Sequence, residues 1–140
     1  MSQAHRKPYV FVVDDEELIA STLRMILRHA GFRARSFIEP LEALKAVRLE
    51  APDLLISDVA MPLLSGIDLA IQVRELCPDC KVLLFSGQAS TSHLLEAARA
   101  NGHDFEVLLK PVHPTDLLTR IQSLTEPTSS PPSVEMQSWR

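Results

Sequence analysis

Several polar side chains follow apolar runs along this chain, and together they could carry out phosphoryl chemistry. Asp14 and Asp15 follow the first run, and Asp58 follows a later one. Ser86 and Lys110 follow two further runs. Carboxylates that share one site repel one another unless a cation lies among them, and donors that are all oxygen favour Mg²⁺. An ammonium group is a point charge suited to phosphate, and an aspartate can be a phosphoryl nucleophile. Since no Ser–His or Cys–His pair accompanies them, phosphoryl transfer fits better than acyl transfer.

Apolar segments that alternate with helical patterns predict the elements that position these side chains. A continuous apolar run indicates a strand buried on both faces, and apolar residues at three- and four-residue steps indicate a helix. Their alternation predicts an α/β fold with a parallel sheet, helices on both faces and right-handed crossovers. The carboxyl ends of such strands line the ligand crevice. The predicted strands are 9–13, 34–37, 53–57, 81–85 and 106–109, and the predicted helices are 16–30, 40–50, 67–76, 91 or 92 to 100, and 114–124.

Composition and charge are those of an ordinary globular domain. The chain has 140 residues, of which 46% are hydrophobic and 23% charged, and its net charge is −4. The mild negative charge argues against direct nucleic-acid binding, and no apolar run is long enough to span a bilayer. The first residues lack the apolar core of a signal peptide, so we expect a cytoplasmic protein without membrane insertion. We expect a folded domain over 1–125 and a Pro/Ser-rich disordered tail or linker over 126–140.

Cys77 and Cys80 form a Cys-Pro-Asp-Cys motif, which could be a redox motif or a pair of ordinary thiols. Redox motifs of this spacing usually open a helix after a strand, whereas this one closes a helical stretch. A zinc site needs four ligands, and the chain has no second cysteine pair. We therefore expect two loop thiols that stay reduced in the cytosol. The five histidines are scattered and show no metal-ligand spacing.

Short motifs at the predicted strand ends resemble those of bacterial response-regulator receiver domains. The resemblance covers about residues 7–125. The motifs occur in the same order and spacing as in that family, and they are Val12–Glu16, Ser57–Gly66, Phe85–Gly87 and Leu109–Pro111. The resemblance implies a five-stranded parallel sheet, doubly wound, with the flavodoxin-like strand order 2-1-3-4-5 and five helices.

The resemblance also implies roles for a phosphoacceptor, for metal ligands and for groups that contact the phosphoryl group. Asp58 would be the phosphoacceptor, Ser86 the switch hydroxyl and Lys110 the lysine that contacts the phosphate. Mg²⁺ would be bound directly by Asp15, through a water molecule by Asp14, and also by Asp58 and the backbone carbonyl of Ala60. Family members also carry a cis peptide bond before the proline that matches Pro111.

Two departures from the family pattern concern the way in which phosphorylation is read out. Many receivers carry Tyr or Phe three residues before the lysine, where this chain has Val107. Phe105 lies one strand period away and could serve on the same face, although we expect it in the core. The segment 102–105 is also one residue longer than usual. Both departures leave the phosphoacceptor itself unaffected.

The implied function is a signalling switch that takes phosphate from a sensor histidine kinase or a phosphotransfer protein. It would act on an unidentified downstream protein, as a monomer or weak dimer, and would assist only its own Mg²⁺-dependent phosphorylation and dephosphorylation. One alternative is an aspartyl-phosphate hydrolase of the haloacid dehalogenase type. That family needs a second acid two residues after the nucleophile, where this chain has Ala60. The other alternative is a pseudo-receiver that serves only for docking, against which the complete acidic set argues.

Overall fold

A computed structural model describes residues 7–87 and 92–125 of the chain. Strands and helices alternate along these residues. The strands are β1 (Tyr9–Val13), β2 (Arg33–Phe37), β3 (Leu54–Asp58), β4 (Lys81–Ser86) and β5 (Glu106–Leu109), and the helices are α1 (Glu17–His29), α2 (Pro40–Leu49), α3 (Gly66–Leu76), α4 (Ser92–Ala100) and α5 (Pro114–Thr125).

The five strands form one parallel sheet with the order β2-β1-β3-β4-β5, as predicted. Burial follows from this order. Every residue of β1 and β3 is buried, because these strands have a neighbour on each side and helices on both faces. The edge strands are less buried: β2 alternates between buried and more exposed positions, and β5 has half-buried residues between exposed ends. The continuous apolar runs in the sequence are therefore the signature of central strands.

Two apolar cores lie on opposite faces of the sheet, because successive side chains of a strand point to opposite faces. Phe11, Leu55 and Leu84 belong to the core on the side of α2 and α3. Ile56 and Leu83 belong to the core on the side of α1 and α5. All of these side chains are at most 1% exposed. The sheet is therefore packed on both faces, and this packing supports the strand ends at its carboxyl edge.

Some element ends differ from the sequence predictions by one residue. Asp58 and Ser86 are the last residues of β3 and β4, whereas the apolar pattern ends one residue earlier. Strand ends are defined by pairing with the neighbouring strand, and Asp58 pairs with Phe85 while Ser86 pairs with Leu109. The edge strand β2 likewise begins at Arg33, which is charged and carries no apolar signal.

Three sequence predictions concern residues outside the described part of the chain. They are the N-terminal residues 1–6, the alternative helix start at Thr91 and the tail 126–140. The domain boundary at residue 125 therefore stays a prediction, although α5 ends there. In residues 7–87 and 92–125, no helix is long and apolar enough to cross a membrane.

Candidate functional site

The acidic residues predicted to share a site do so at the carboxyl edge of the sheet. One carboxylate oxygen from each of Asp14, Asp15 and Asp58 lies within 4.8 Å of the others. Asp14 is 2% exposed and Asp58 is 9% exposed, whereas Asp15 is open to solvent. In the described residues, these carboxylates form the group of side chains that could hold a metal ion. The parallel sheet brings them together because β1 and β3 are neighbours.

Lys110 brings a positive charge to this acidic group. Its Nζ atom lies 3.2 Å from Oδ2 of Asp58 and 4.0 Å from Oδ2 of Asp14. The backbone N–H of Lys110 donates a hydrogen bond of 2.9 Å to the carbonyl oxygen of Ser86. This bond joins the residue after β5 to the end of β4, so the backbone that carries the Lys110 side chain is held beside the site. The peptide bond between Lys110 and Pro111 is cis, as the family resemblance implied.

The buried carboxylate of Asp14 lies in surroundings that disfavour its charge. Burial raises the pKa of Asp14, and the nearby carboxylates of Asp58 and Asp15 raise it further. A hydrogen bond of 2.9 Å from the backbone N–H of Glu16 to Oδ1 lowers it, as does the charge of Lys110. Oδ2 of Asp14 is buried without a hydrogen-bond partner. A cation coordinated by carboxylate oxygens would satisfy this atom, so the residues present fit a divalent ion such as Mg²⁺.

The loop from β3 to α3 packs directly on the backbone of Asp58. The N–H of Gly66 donates to the carbonyl of Val59, and the N–H of Val59 donates to the carbonyl of Phe85, both at 2.9 Å. A Cβ atom on Gly66 would overlap the carbonyl oxygen of Asp58 and come within 2.9 Å of Oγ of Ser57. Glycine is therefore required at 66 by close approach to the phosphoacceptor strand. Ala60, whose carbonyl the resemblance implicates as a ligand, is exposed and lines the site cleft.

Ser86 lies at the end of β4, next to the site. It is 3% exposed, and Phe85, the residue before it, pairs with Asp58 in the sheet. The next residue, Gly87, lies against the side chain of Lys110, because a Cβ atom added there would be 3.3 Å from its Cδ atom. The structure thus places Ser86, Gly87 and Lys110 side by side along the edge that carries Asp58.

An open cleft of about 700 Å³ leads from solvent to these groups. Its lining includes the polar residues Asp15, Asp58 and Lys110. Apolar residues, which include Ile19 and Val112, also line the cleft. The cleft therefore gives solvent access to the carboxylate of Asp58, which is otherwise nearly buried.

The positions that concern the readout lie on β5 and just before it. Phe105 is 7% exposed and belongs to the same core as the half-buried Val107. The guanidinium of Arg74 lies 4.8 Å from the centre of the Phe105 ring, and the His103 ring stacks on the Phe105 ring with 6.1 Å between the ring centres. The expected core role of Phe105 is therefore confirmed. The aromatic side chain is held at the end of the sheet opposite the site.

Two features of the site were missed from the sequence. The backbone N–H of Glu16 binds Asp14, and Gly66 allows the loop to approach Asp58. Part of the signal for Gly66 was present, since Pro62 and Gly66 mark the segment after the third predicted strand as a loop. None of the described histidines belongs to the acidic group: His29, His93 and His113 are exposed and His103 stacks on Phe105, while His5 is outside the described residues.

Comparison with known proteins agrees with this geometry. Residues 10–122 match the family model of the response regulator receiver domain. Response regulator MprA of Mycobacterium leprae is 32% identical over 130 residues, which are 91% of this chain and 56% of that protein. Transcriptional regulatory protein PrrA of Mycobacterium tuberculosis is 29% identical, with coverage of 84% and 49%. The chain thus spans about half the length of the curated relatives it matches.

Solved structures show the same fold. Chemotaxis protein CheY4 of Vibrio cholerae superposes with a TM-score of 0.75 at 26% identity, and the match covers 85% of this chain and 99% of that one. A CheY-like receiver domain protein of Methanospirillum hungatei gives a TM-score of 0.76 at 25% identity, with coverage of 84% and 93%. The sheet order and the five helices thus define a CheY-like, flavodoxin-type α/β domain.

The chain belongs to the response regulator receiver domain family. It is a receiver domain of the kind that acts in two-component systems, in which the family serves as a signalling phosphoacceptor. Receiver domains interact with histidine kinases and with downstream partners. Membership of this family decides against the dehalogenase-type alternative. That alternative also needs a second acid at the position where this chain has Ala60.

Proposed function

We propose that Asp58 of this chain accepts a phosphoryl group from a histidine kinase or a phosphotransfer protein. One observation carries the proposal: the carboxylate of Asp58 lies 3.2 Å from the ammonium of Lys110 and within 4.8 Å of two further carboxylates. This combination suits an oxygen nucleophile that must approach a charged phosphoryl group, because charge around the reacting atoms has to be balanced. The cleft described above gives a donor access to it.

Mg²⁺ would be held by Asp14, Asp15 and Asp58, with the backbone carbonyl of Ala60 as a further ligand. The Oδ2 atom of Asp14 supports this, because a buried carboxylate oxygen that accepts no hydrogen bond is unfavourable unless a cation or a donor satisfies it. When bound, the ion would neutralise negative charge on the carboxylates and on the transferred phosphoryl group.

The reaction follows from the groups present. An oxygen of Asp58 attacks the phosphorus of a phosphohistidine, the bond between phosphorus and the donor nitrogen breaks, and that nitrogen keeps the electron pair. Lys110 is close enough to pair with a phosphoryl oxygen on Asp58, and an ammonium serves as a point charge for phosphate. Hydrolysis of the acyl phosphate returns Asp58 to its carboxylate, so the domain can be used again.

Phosphorylation would be read out through Ser86 and Lys110. Both lie at the ends of strands that lead into the surface of α4, β5 and α5, and we propose that this surface contacts a downstream protein. We propose that the domain acts as a monomer or weak dimer and does not contact nucleic acid directly. The cytoplasmic location and the boundary between a domain over 1–125 and a tail over 126–140 remain predictions from the sequence.

Labelling with acetyl phosphate and Mg²⁺ tests the assignment of Asp58. Wild-type protein should gain one phosphoryl group in intact-mass measurements, and Asp58→Asn should gain none, because the amide has no nucleophilic oxygen. Omission of Mg²⁺ should reduce labelling of the wild type to the level of Asp58→Asn.

Asp68→Asn is a matched control, because Asp68 is an exposed acid on α3 and lies outside the acidic group. It should label as the wild type does. The assignment of Asp58 is wrong if Asp58→Asn takes up phosphate as fast as Asp68→Asn while both variants keep the far-ultraviolet circular dichroism of the wild type.

A further inference from the structure

The two cysteines lie on one tight turn between α3 and β4, far along the sheet from Asp58. The N–H of Cys77 donates to the carbonyl of Val73 at the end of α3, and the N–H of Cys80 donates to the carbonyl of Cys77 at 3.1 Å. A turn closed in this way keeps its first and fourth Cα atoms within about 7 Å. Disulfide-bonded cysteines usually have Cα atoms about 4.4–6.8 Å apart. The backbone of the turn therefore already has the separation that a disulfide requires.

The side chains of both cysteines contact the same core. Cys80 is 2% exposed and belongs to the core on the side of α2 and α3, and the half-buried Cys77 packs against that same core. Both are free thiols, and Sγ of Cys80 donates to the carbonyl of Lys81 at 3.3 Å. Since both side chains contact the same core, we expect a bond between them to need side-chain rotation and not a rearrangement of α3 or β4.

We propose that Cys77 and Cys80, which we expect to be reduced under ordinary cytosolic conditions, form a reversible intramolecular disulfide by exchange when a low-molecular-weight disulfide accumulates. This modification site is independent of phosphoryl transfer, since neither cysteine belongs to the acidic group at the opposite edge of the sheet.

The turn gives the two thiols different roles. Cys77 is partly exposed and can meet an oxidant from solvent, whereas Cys80 is enclosed. Burial raises the pKa of Cys80 to about 12, so this thiol keeps its proton at neutral pH and is a poor first nucleophile. The charge of Arg74, on the last turn of α3, acts in the opposite direction and would stabilise the Cys80 thiolate as it forms.

The exchange then proceeds in two balanced steps. The thiolate of Cys77 attacks one sulfur of the oxidant RSSR, an S–S bond forms between Cys77 and RS, and RS⁻ leaves with the electron pair of the broken S–S bond. Cys80 loses its proton and attacks Sγ of Cys77, and a second RS⁻ leaves. Overall, two cysteine thiols are oxidised to one disulfide while RSSR is reduced to two RSH.

Oxidised glutathione is a suitable probe for this reaction. Reduced full-length protein is incubated with it, the reaction is stopped with acid, and the remaining thiols are alkylated before intact-mass measurement. We expect wild-type protein to lose both of its alkylatable thiols without carrying glutathione, and to regain both after treatment with excess dithiothreitol. Non-reducing electrophoresis should show a monomer.

The variants separate the two steps. Cys80→Ala should trap glutathione on Cys77, because no second thiol can displace it, and Cys77→Ser should leave Cys80 unmodified. The wild-type measurement decides the question even if a variant folds poorly. A stable glutathione adduct on wild-type protein would overturn the proposal, and so would two thiols that stay alkylatable or a disulfide-linked dimer. None of these outcomes bears on the phosphorylation of Asp58.

Discussion

Asp14 carries a carboxylate that is almost fully buried, with one oxygen lacking a hydrogen-bond partner. A residue of this kind usually serves binding or catalysis, because it lowers the stability of the fold unless a ligand compensates. Its surroundings explain the arrangement: the strand β1 ends at Val13, so the next residue enters the mouth of the sheet beside Asp58. The buried charge should lower the free energy of unfolding whenever no cation neutralises it, and this effect can be measured.

We predict that Asp14→Asn stabilises the metal-free protein at neutral pH by roughly 1–3 kcal/mol, the usual penalty for a buried unsatisfied acceptor. The amide has no charge and keeps an Oδ1 atom for the Glu16 N–H. Because the pKa of Asp14 is raised in the folded state, the folded state binds the proton more tightly than the unfolded state does. Wild-type stability should therefore fall as pH rises from the ordinary aspartate value through the raised one.

Urea unfolding without metal, measured from acidic to neutral pH, tests this difference. The two proteins should converge at acidic pH, where Asp14 is protonated in both the folded and unfolded states. Addition of Mg²⁺ at neutral pH should stabilise the wild type more than Asp14→Asn, since the amide is a weaker ligand. An Asn variant that is less stable than wild type at neutral pH would contradict the prediction.

Lys110 should matter more for the conformational response to phosphorylation than for uptake of the phosphoryl group. The Lys110→Ala protein should still be phosphorylated, because the nucleophile and the acidic group remain, but it should fail to shift its conformation. Lys81→Ala is a matched control, since Lys81 is exposed at the opposite end of β4. Two-dimensional NMR with and without beryllofluoride decides between the outcomes. If resonances remote from Asp58 move as much in Lys110→Ala as in Lys81→Ala, Lys110 has no part in the readout.

At the scale of elements, the loop between β3 and α3 depends on Gly66. We predict that Gly66→Ala destabilises the fold by about 1–3 kcal/mol, as overpacking in a close-packed region does. It should also slow Mg²⁺-dependent labelling, because the new methyl group overlaps the carbonyl of Asp58. Urea unfolding and the acetyl phosphate reaction measure the two effects separately.

Gly102→Ala is the control for Gly66→Ala. Gly102 has a φ of +91° with no atom within 4 Å of an added Cβ, so alanine there introduces backbone strain without a clash. This variant should lose stability and keep its labelling rate after correction for the unfolded fraction. Equal labelling by both variants would show that the approach of Gly66 to Asp58 does not affect the site.

The elements themselves could be predicted from the sequence to different degrees. The central strands were clear, because β1 and β3 are buried on both faces and therefore consist of apolar residues. The edge strand β2 was less clear at its start, since Arg33 pairs with Tyr9 in the ladder while its guanidinium lies over the Tyr9 ring. A charged residue that packs on an aromatic face carries no apolar signal, and only the structure reveals its partner.

For the molecule as a whole, strand and helix alternation predicted the parallel sheet, and the strand order came from the family resemblance. Residues distant in sequence, such as Asp15 and Lys110, were predicted to meet because all carboxyl ends of a parallel sheet lie at one edge. Two features could not be predicted: the buried Oδ2 atom of Asp14 that accepts no hydrogen bond, and the contacts of Arg74 and His103 with the Phe105 ring. They depend on side-chain packing between elements, which no local pattern in the sequence encodes.

Phosphorylation should change one side of the molecule more than the other. Ser86 ends β4 and Lys110 follows β5, so a phosphoryl group that draws both inward acts first on α4, β5 and α5. A ligand shifts a two-state equilibrium only by its differential interaction with the two states. A hydrogen bond to a charged group contributes about 1.5–3 kcal/mol, which is enough for a tenfold or larger change in population. Because Val107 lacks the aromatic ring that usually stiffens the switched state, we expect the unphosphorylated protein to sample that state more readily.

Hydrogen exchange with and without beryllofluoride locates this change. We predict the largest differences between about residues 87 and 118, since opening free energies respond where new contacts form. Asp58→Asn should show no difference, which separates binding at the site from general effects of the salt. Differences confined to α1 and β2 would contradict the localisation, because those elements lie on the other side of the sheet order from β5. In that event the partner surface would have to be sought beside α1, where Leu18 and Met25 are exposed.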